Sequence, residues 1–435
     1  MSLRINTNRL DSACASGLAF AMCLVPGTSI AAEGGLNLSS VAFAAVPVPQ
    51  GSAVALAYHV TSNWFWLANQ TVGLVLPILL LVSGFGARVY DAVSRVLRGH
   101  VFPSVVVFTL VYFALDQTLR LPIGYFWQLA YSRATEIPPS PPISWAVNEL
   151  LGNVTTAVGL ALGVAVLYWL LAKSPKRAWL WLASTTVALL FTALLVEPYT
   201  QRYQTIGATP LESHIVELAE RAGVNREHIA IETCAPVDSC PPGRVIGLGP
   251  TRLMLLNGSL MQQNPEAWTL QTVAHESKHF AKDDNRSALL VLAALAFAAS
   301  WLMQWAGSAL AAHCGDRFGF TKIGDPRSLP LMAMLLCLIY LLLLPPTNAF
   351  RQYVELEADR FAIELTQANV VQGEMLSHYA AGKGRVPEYS TFFALFRATH
   401  PSDAERIRLS NTYRPWVTGE PLRYSSDFKS PLAGK

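Results

Sequence analysis

His275-Glu276-Ser277-Lys278-His279, residues 275–279, is the stretch on which the reading of this chain turns. On a helix, residues four apart project from one face, so His275 and His279 can reach a single zinc ion. Glu276 is offset around the helix, placed to act as a base on a metal-held water without being a ligand. The preceding NPEAWTLQTVA (264–274) contains no internal helix breaker and reads as an amphipathic helix start. On its own the pentapeptide also fits a solvated helix face by chance.

A zinc site of this type needs a third protein ligand and an open fourth position. RQYVELEADRFAIELTQ (351–367) supplies a candidate: Glu355 and Asp359 are spaced by four on a helical pattern. Glu355 is expected to complete the metal set. Asp359 is expected to accept the second ring N–H of a ligand histidine, fixing its tautomer. The bland alternative is an acidic surface stripe paired with Arg351 and Arg360.

HExxH followed by ExxxD resembles the gluzincin arrangement. The surrounding segments resemble the integral-membrane CAAX prenyl endopeptidases of the zinc type, and the HtpX-like peptidases related to them. Four segments carry the likeness: GLGPTRLMLLNGSLM (247–261), similar to that family's edge strand and turn; ATHPSDAER (398–406), similar to its His-Pro signature; and LRLPIGYF (119–126) with AKSPKRAWL (172–180), similar to its links between spans. The resemblance implies one catalytic zinc per chain held by His275, His279 and Glu355, with Glu276 as general base and Asp359 behind the first histidine. It further implies His400, helped by Arg406, at the developing oxyanion, and a peptide or protein substrate added as a strand near residues 245–256. Three departures stand out. Lys278 occupies a position usually small in the family and must point away from the metal or lower its affinity; Pro242-Gly243 replaces an Asn-Ala pair that opens the substrate strand; and ATEIPPSPPIS (134–144) is proline-rich where the family carries a Gly-Leu-Ser-type stretch.

Composition agrees with a membrane protein. Apolar residues make up 52% of the chain and charged residues only 14%, against about a quarter in soluble domains. The net charge of +3 gives no reason to invoke nucleic acid. Apolar runs long enough to span a bilayer lie near 64–86, 101–119, 151–172, 178–196, 287–312 and 329–346, with a seventh near 12–31. The fold class expected is therefore mainly α, multi-pass, with about seven transmembrane helices and a discontinuous α+β gluzincin catalytic domain carrying a small edge strand. The expected division is 1–32 as signal peptide or membrane anchor, 33–196 as a four-span membrane domain, 197–286 as the first catalytic part, 287–348 as a two-span hairpin and 349–435 as the second catalytic part.

Orientation follows from the short loops. Arg4, Arg9, Arg88, Arg95, Arg98, Lys173, Lys176, Arg177, Arg317, Lys322 and Arg327 fall on one side, against Arg120 and Arg133 on the other. Positive charge marks the cytoplasmic side. The catalytic segments then face outward, periplasmic in a bacterial inner membrane. Cys234 and Cys240 flank a proline-containing loop, and a disulfide between them needs an oxidising compartment. The function expected is a membrane-embedded zinc endopeptidase acting on peptides or envelope proteins, with a non-catalytic scaffold of the same fold as the alternative. An intramembrane protease is disfavoured because KDDNR (282–286) follows the motif, and a transporter because no matched pair of interrupted spans occurs.

Overall fold

The structure is a computed structural model, and it describes residues 43–234, 240–382 and 384–429. The seventh apolar run and the segment 1–32 lie outside the described residues. The described residues form two compact units, one of residues 57–189 and 290–345, the other of residues 43–56, 190–289 and 346–429.

Helices come first along the chain: α1 (Ala53–Val82), α2 (Phe85–Val96), α3 (Val101–Thr135), α4 (Pro142–Gly152), α5 (Val154–Lys173) and α6 (Ala178–Thr200). Among the described residues six helical stretches are long and apolar enough to cross a membrane: α1, α3, α4 with α5, α6, and two later ones. Their outer faces are apolar, as at Leu189 (66% exposed) and Leu290 (63%). Contiguous apolar surface of this kind is untenable in water and marks contact with lipid. The first span starts eleven residues before the expected position, because the polar YHVTSN lowers local hydropathy without breaking the helix. It ends early at Gly84, whose φ of 64° stops it. Arg120 was expected in a loop but sits within α3. It pairs bidentately with Asp116 (2.7 and 2.9 Å) and donates to Asn69 O (2.7 Å), which lets a charge lie inside an apolar helix.

The other unit holds a four-stranded sheet and the remaining helices. Strands β1 (Tyr203–Thr205), β2 (Ile229–Glu232), β3 (Gly243–Ile246) and β4 (Leu253–Asn257) lie in the order β1-β2-β4-β3. β2 and β4 are parallel; the two outer pairings are antiparallel. Met254 and Leu256 enter one cluster with Ile229, and Leu253 and Leu255 enter another with Ala230 and Ile246. A strand buried on both faces is central, so the 247–261 segment is not the edge strand expected from sequence. The edge beside β4 is β3, with β1 at the other edge, and 247–252 is the turn that joins β3 to β4. Gly247 is required there: at φ 82° a Cβ would lie 2.4 Å from Thr251 O.

Helix α7 (Pro210–Arg221) covers the sheet and opens on a capping box, Thr209 Oγ1 accepting from Glu212 N and the Glu212 carboxylate from Thr209 N. After β4 follow α8 (Gly258–Gln263), α9 (Glu266–Ala281), α10 (Asp284–Phe318), α11 (Leu329–Thr366), α12 (Asn369–Ala380), α13 (Thr391–Phe396) and α14 (Asp403–Thr412). The core packs Ile215, Leu218 and Ala219 of α7 and Leu270, Val273 and Ala274 of α9 with Phe361, Ala362 and Leu365 of α11. Burying each large aliphatic side chain contributes about 1.5–3 kcal/mol. This core fixes α9 and α11 side by side, and with them the residues singled out above.

Candidate metal centre

The pentapeptide lies in the last turns of α9, whose apolar positions Leu270, Val273 and Ala274 are buried. The helix therefore presents His275 and His279 together, with their Nε2 atoms 3.2 Å apart. Their Nδ1 atoms face carboxylates, His275 donating to Asp359 Oδ1 (3.0 Å) and His279 to Asp284 Oδ2 (2.7 Å). With a ring proton held on each Nδ1, the two Nε2 atoms converge on one point, where a cation can take the place of a proton. Glu355 joins them from α11, its carboxylate oxygens 3.3 Å from His275 Nε2 and 3.9 Å from His279 Nε2. The three ligand atoms lie within 4.8 Å of one another. Ligands at about 2.0–2.1 Å around a tetrahedral zinc stand about 3.3–3.4 Å apart, so the donor set fits such an ion in kind and spacing.

Behind the ligands the polar groups are cross-braced. Asp359, only 2% exposed in its side chain, takes Arg406 Nε on Oδ2 and Nη2 on Oδ1, both at 2.7 Å. Arg406 comes from α14, whose N-terminus is capped by Ser402 Oγ accepting from Glu405 N. Burial works against the Arg406 guanidinium, but Asp359 more than offsets it and raises its pKa further. Arg406 thus buttresses Asp359. For His275, burial alone would lower the pKa, yet Asp359 and Glu355 outweigh it and bring the ring to about 10. That is the value before any cation competes for the ring nitrogen.

Asp284 was missed in sequence. It stands five residues after His279, beyond the helix end, where helical spacing gives no reason to connect the two. The chain returns because Asp283 takes a left-handed φ of 50° between α9 and α10. Lys278 belongs to the same corner. It is buried and donates to Asp284 Oδ2 (2.8 Å), the oxygen that also faces His279 Nδ1, and to Val354 O (3.2 Å).

Glu276 is buried beside β3. A Cβ built on Gly243 would meet Glu276 Cγ at 2.7 Å and Thr272 Cγ2 at 3.0 Å, so the strand approaches the glutamate as closely as it does because residue 243 has no side chain. Burial pushes the Glu276 carboxyl above its ordinary range, with His279 and His275 pulling the other way. A small recess of about 10 Å³ is lined by Pro242, Leu256, Leu260, Met261 and Thr272, the last one helical turn before Glu276. His400 reaches the centre from the loop before α14, with Nε2 3.5 Å from Glu355 Oε1 and its side chain 58% exposed. At one end of β3, a disulfide joins Cys234 to Cys240.

A helical multi-pass chain with paired histidines, a third carboxylate ligand and an adjacent buried glutamate has the build of a membrane metalloprotease. Comparison with known proteins agrees. Residues 208–412 match the model of peptidase family M48, and residues 50–201 match that of the CAAX prenyl protease N-terminal domain of five membrane helices. The chain is an integral-membrane metallopeptidase of this M48 kind. It is 24% identical over 372 residues to the uncharacterized metalloprotease YhfN of Bacillus subtilis (strain 168), covering 83% of this chain and 85% of that protein. It shares its fold with the crystal structure of S. mikatae Ste24p at a TM-score of 0.65 and 13% identity, covering 87% of this chain and 93% of the other.

Proposed function

We propose that this protein is a zinc-dependent endopeptidase that hydrolyses peptide bonds of peptides or membrane and envelope proteins. The observation that carries the reading is the convergence of His275 Nε2, His279 Nε2 and a Glu355 oxygen beside the buried Glu276 carboxyl. These three residues would hold the ion, and zinc when bound supplies Lewis acidity that activates water and polarises a carbonyl. Asp359 and Asp284 keep the ring protons on Nδ1, so that both Nε2 atoms are free to bind. Glu276 takes the proton of the attacking water and delivers it to the leaving amide nitrogen. His400, exposed at the rim beside Glu355, donates a hydrogen bond from Nε2 to the developing oxyanion. The substrate backbone pairs with the edge of β3, which lies against Glu276.

The test is metal content and hydrolysis measured together. Purified protein should hold one zinc per chain, and His275→Ala, His279→Ala or Glu355→Ala should each lose it. Glu276→Gln should keep zinc while casein or quenched-peptide hydrolysis falls by several orders of magnitude. Unchanged hydrolysis in Glu276→Gln would remove this chemistry from consideration. The loop charges and the Cys234–Cys240 disulfide support a catalytic unit facing the periplasm of a bacterial inner membrane. A periplasm-dependent reporter fused at Lys435 should then be active, and one inserted near residue 175 silent.

A further inference from the structure

The usable edge of β3 is shorter than the strand. In an antiparallel pair, alternate residues exchange main-chain hydrogen bonds with the partner, and those between turn N–H and C=O outward. Asn257 N donates to Pro242 O (3.0 Å), and the register sets Arg244 opposite Leu255 and Ile246 opposite Leu253. Residues 242, 244 and 246 therefore bond inward to β4, while Gly243, Val245 and Gly247 face the free edge. Two of those outward carbonyls are already taken. Asn285 Nδ2 donates to Val245 O (3.2 Å) and to Gly247 O (2.9 Å). Both partners are acceptors, which identifies the contacting atom as the amide nitrogen and occupies both of its hydrogens. Asn285 is set there by the first turn of α10, directly after the left-handed Asp283.

We propose that Asn285 is a specificity-determining residue, a stop that ends substrate pairing along β3 at Val245. The inference rests on the peptidase reading, which puts the bond to be cut beside Glu276 and hence opposite Gly243. On the Val245 side an incoming chain finds the Val245 N–H and then the Asn285 amide where the next acceptors would be. It must leave the edge there. The site so built takes loops and chain ends that bend away from the strand, and gains nothing from a long extended flank on that side.

The experiment uses the full-length, zinc-loaded Glu276→Gln protein, so that fluorescein-labelled peptides bind without turnover. A peptide is lengthened by alanine one residue at a time at either end, and Kd is measured with and without Asn285→Ala. With Asn285 present, affinity should reach a plateau on one flank. In Asn285→Ala that plateau should give way to a gain of about fivefold for each carbonyl released, about 25-fold in all. Identical length dependence in the two proteins, including none in either, overturns the proposal. Peptides N-methylated one position at a time give a reading without altering Asn285. Methylation at the positions that would donate to the Val245 and Gly247 carbonyls should leave Kd unchanged, and a tenfold loss there overturns the stop. Hydrolysis of the same peptides by the unaltered protein reads the peptidase assignment separately. No hydrolysis together with the length gain refutes the peptidase and keeps the stop, whereas hydrolysis without that gain does the reverse.

Discussion

Replacing Arg406 by alanine should damage both the stability of the catalytic unit and its grip on metal, in amounts that can be told apart. The guanidinium makes two 2.7 Å bonds to Asp359, whose side chain is 2% exposed, and Asp359 Oδ1 also holds the His275 ring proton. Removing one partner of a buried ion pair strands the other charge and costs about 3–5 kcal/mol. For a unit of this size the loss lowers the apparent Tm on the order of 10 °C. The stranded carboxylate also turns from its histidine, and losing such a support weakens metal binding about 10- to 100-fold. Thermal unfolding of the metal-free protein reads the first effect, and competition with a chromogenic chelator reads the second. The double variant Asp359→Asn with Arg406→Met removes both charges, so it should recover most of the stability and none of the metal affinity. Arg406→Ala with Tm and zinc affinity both unchanged would refute the reasoning. So would a double variant no more stable than the single one.

Gly243→Ala places a Cβ 2.7 Å from Glu276 Cγ, so Glu276 must shift; hydrolysis should fall about 100-fold with zinc content intact, as measured by kcat and metal analysis on one sample. Lys278→Met leaves the Asp284 oxygen to His279 alone, and chelator competition should show zinc held about tenfold more tightly; weaker binding would count against a shared carboxylate. Hydrogen bonds from Thr209 and the Gly207 amide hold the Glu212 carboxylate below its usual range, so the stabilisation it gives is complete above the unfolded value of about 4.3 and is lost as pH falls through the lower folded one. Denaturant titrations of wild type and Glu212→Gln should accordingly differ near neutral pH and converge in acid.

Much of the centre was legible because helical spacing is rigid. His275 and His279, like Glu355 and Asp359, are four apart, and the structure keeps each pair on one face of its helix. Asp284 was not legible, because its contact with His279 depends on a single left-handed residue, Asp283, for which nothing in the KDDNR string distinguishes one aspartate from the next. Spans were legible by apolar length, though Arg120 and Pro122 masked the second half of α3. The edge strand was misplaced for an instructive reason. Leu253-Met254-Leu255-Leu256 is an unbroken apolar run, the mark of a strand covered on both faces, whereas the true edge, Gly243-Arg244-Val245-Ile246, is too short for alternation to show.

The side chains around the two histidines have a further consequence in their formal charges. Glu276, Glu355, Asp359 and Asp284 bring four negative charges, and only Lys278 and Arg406 bring positive ones within direct pairing distance of them. Two negative charges are left over, the complement of one divalent ion. Without an ion, protons make up the difference: despite burial, Asp359 and Glu355 bring the His275 ring to about 10, and burial favours the protonated Glu276 carboxyl, so a cation that binds must displace them. Metal uptake is thereby tied to proton release, so a cation held by His275, His279 and Glu355 would be lost as pH falls.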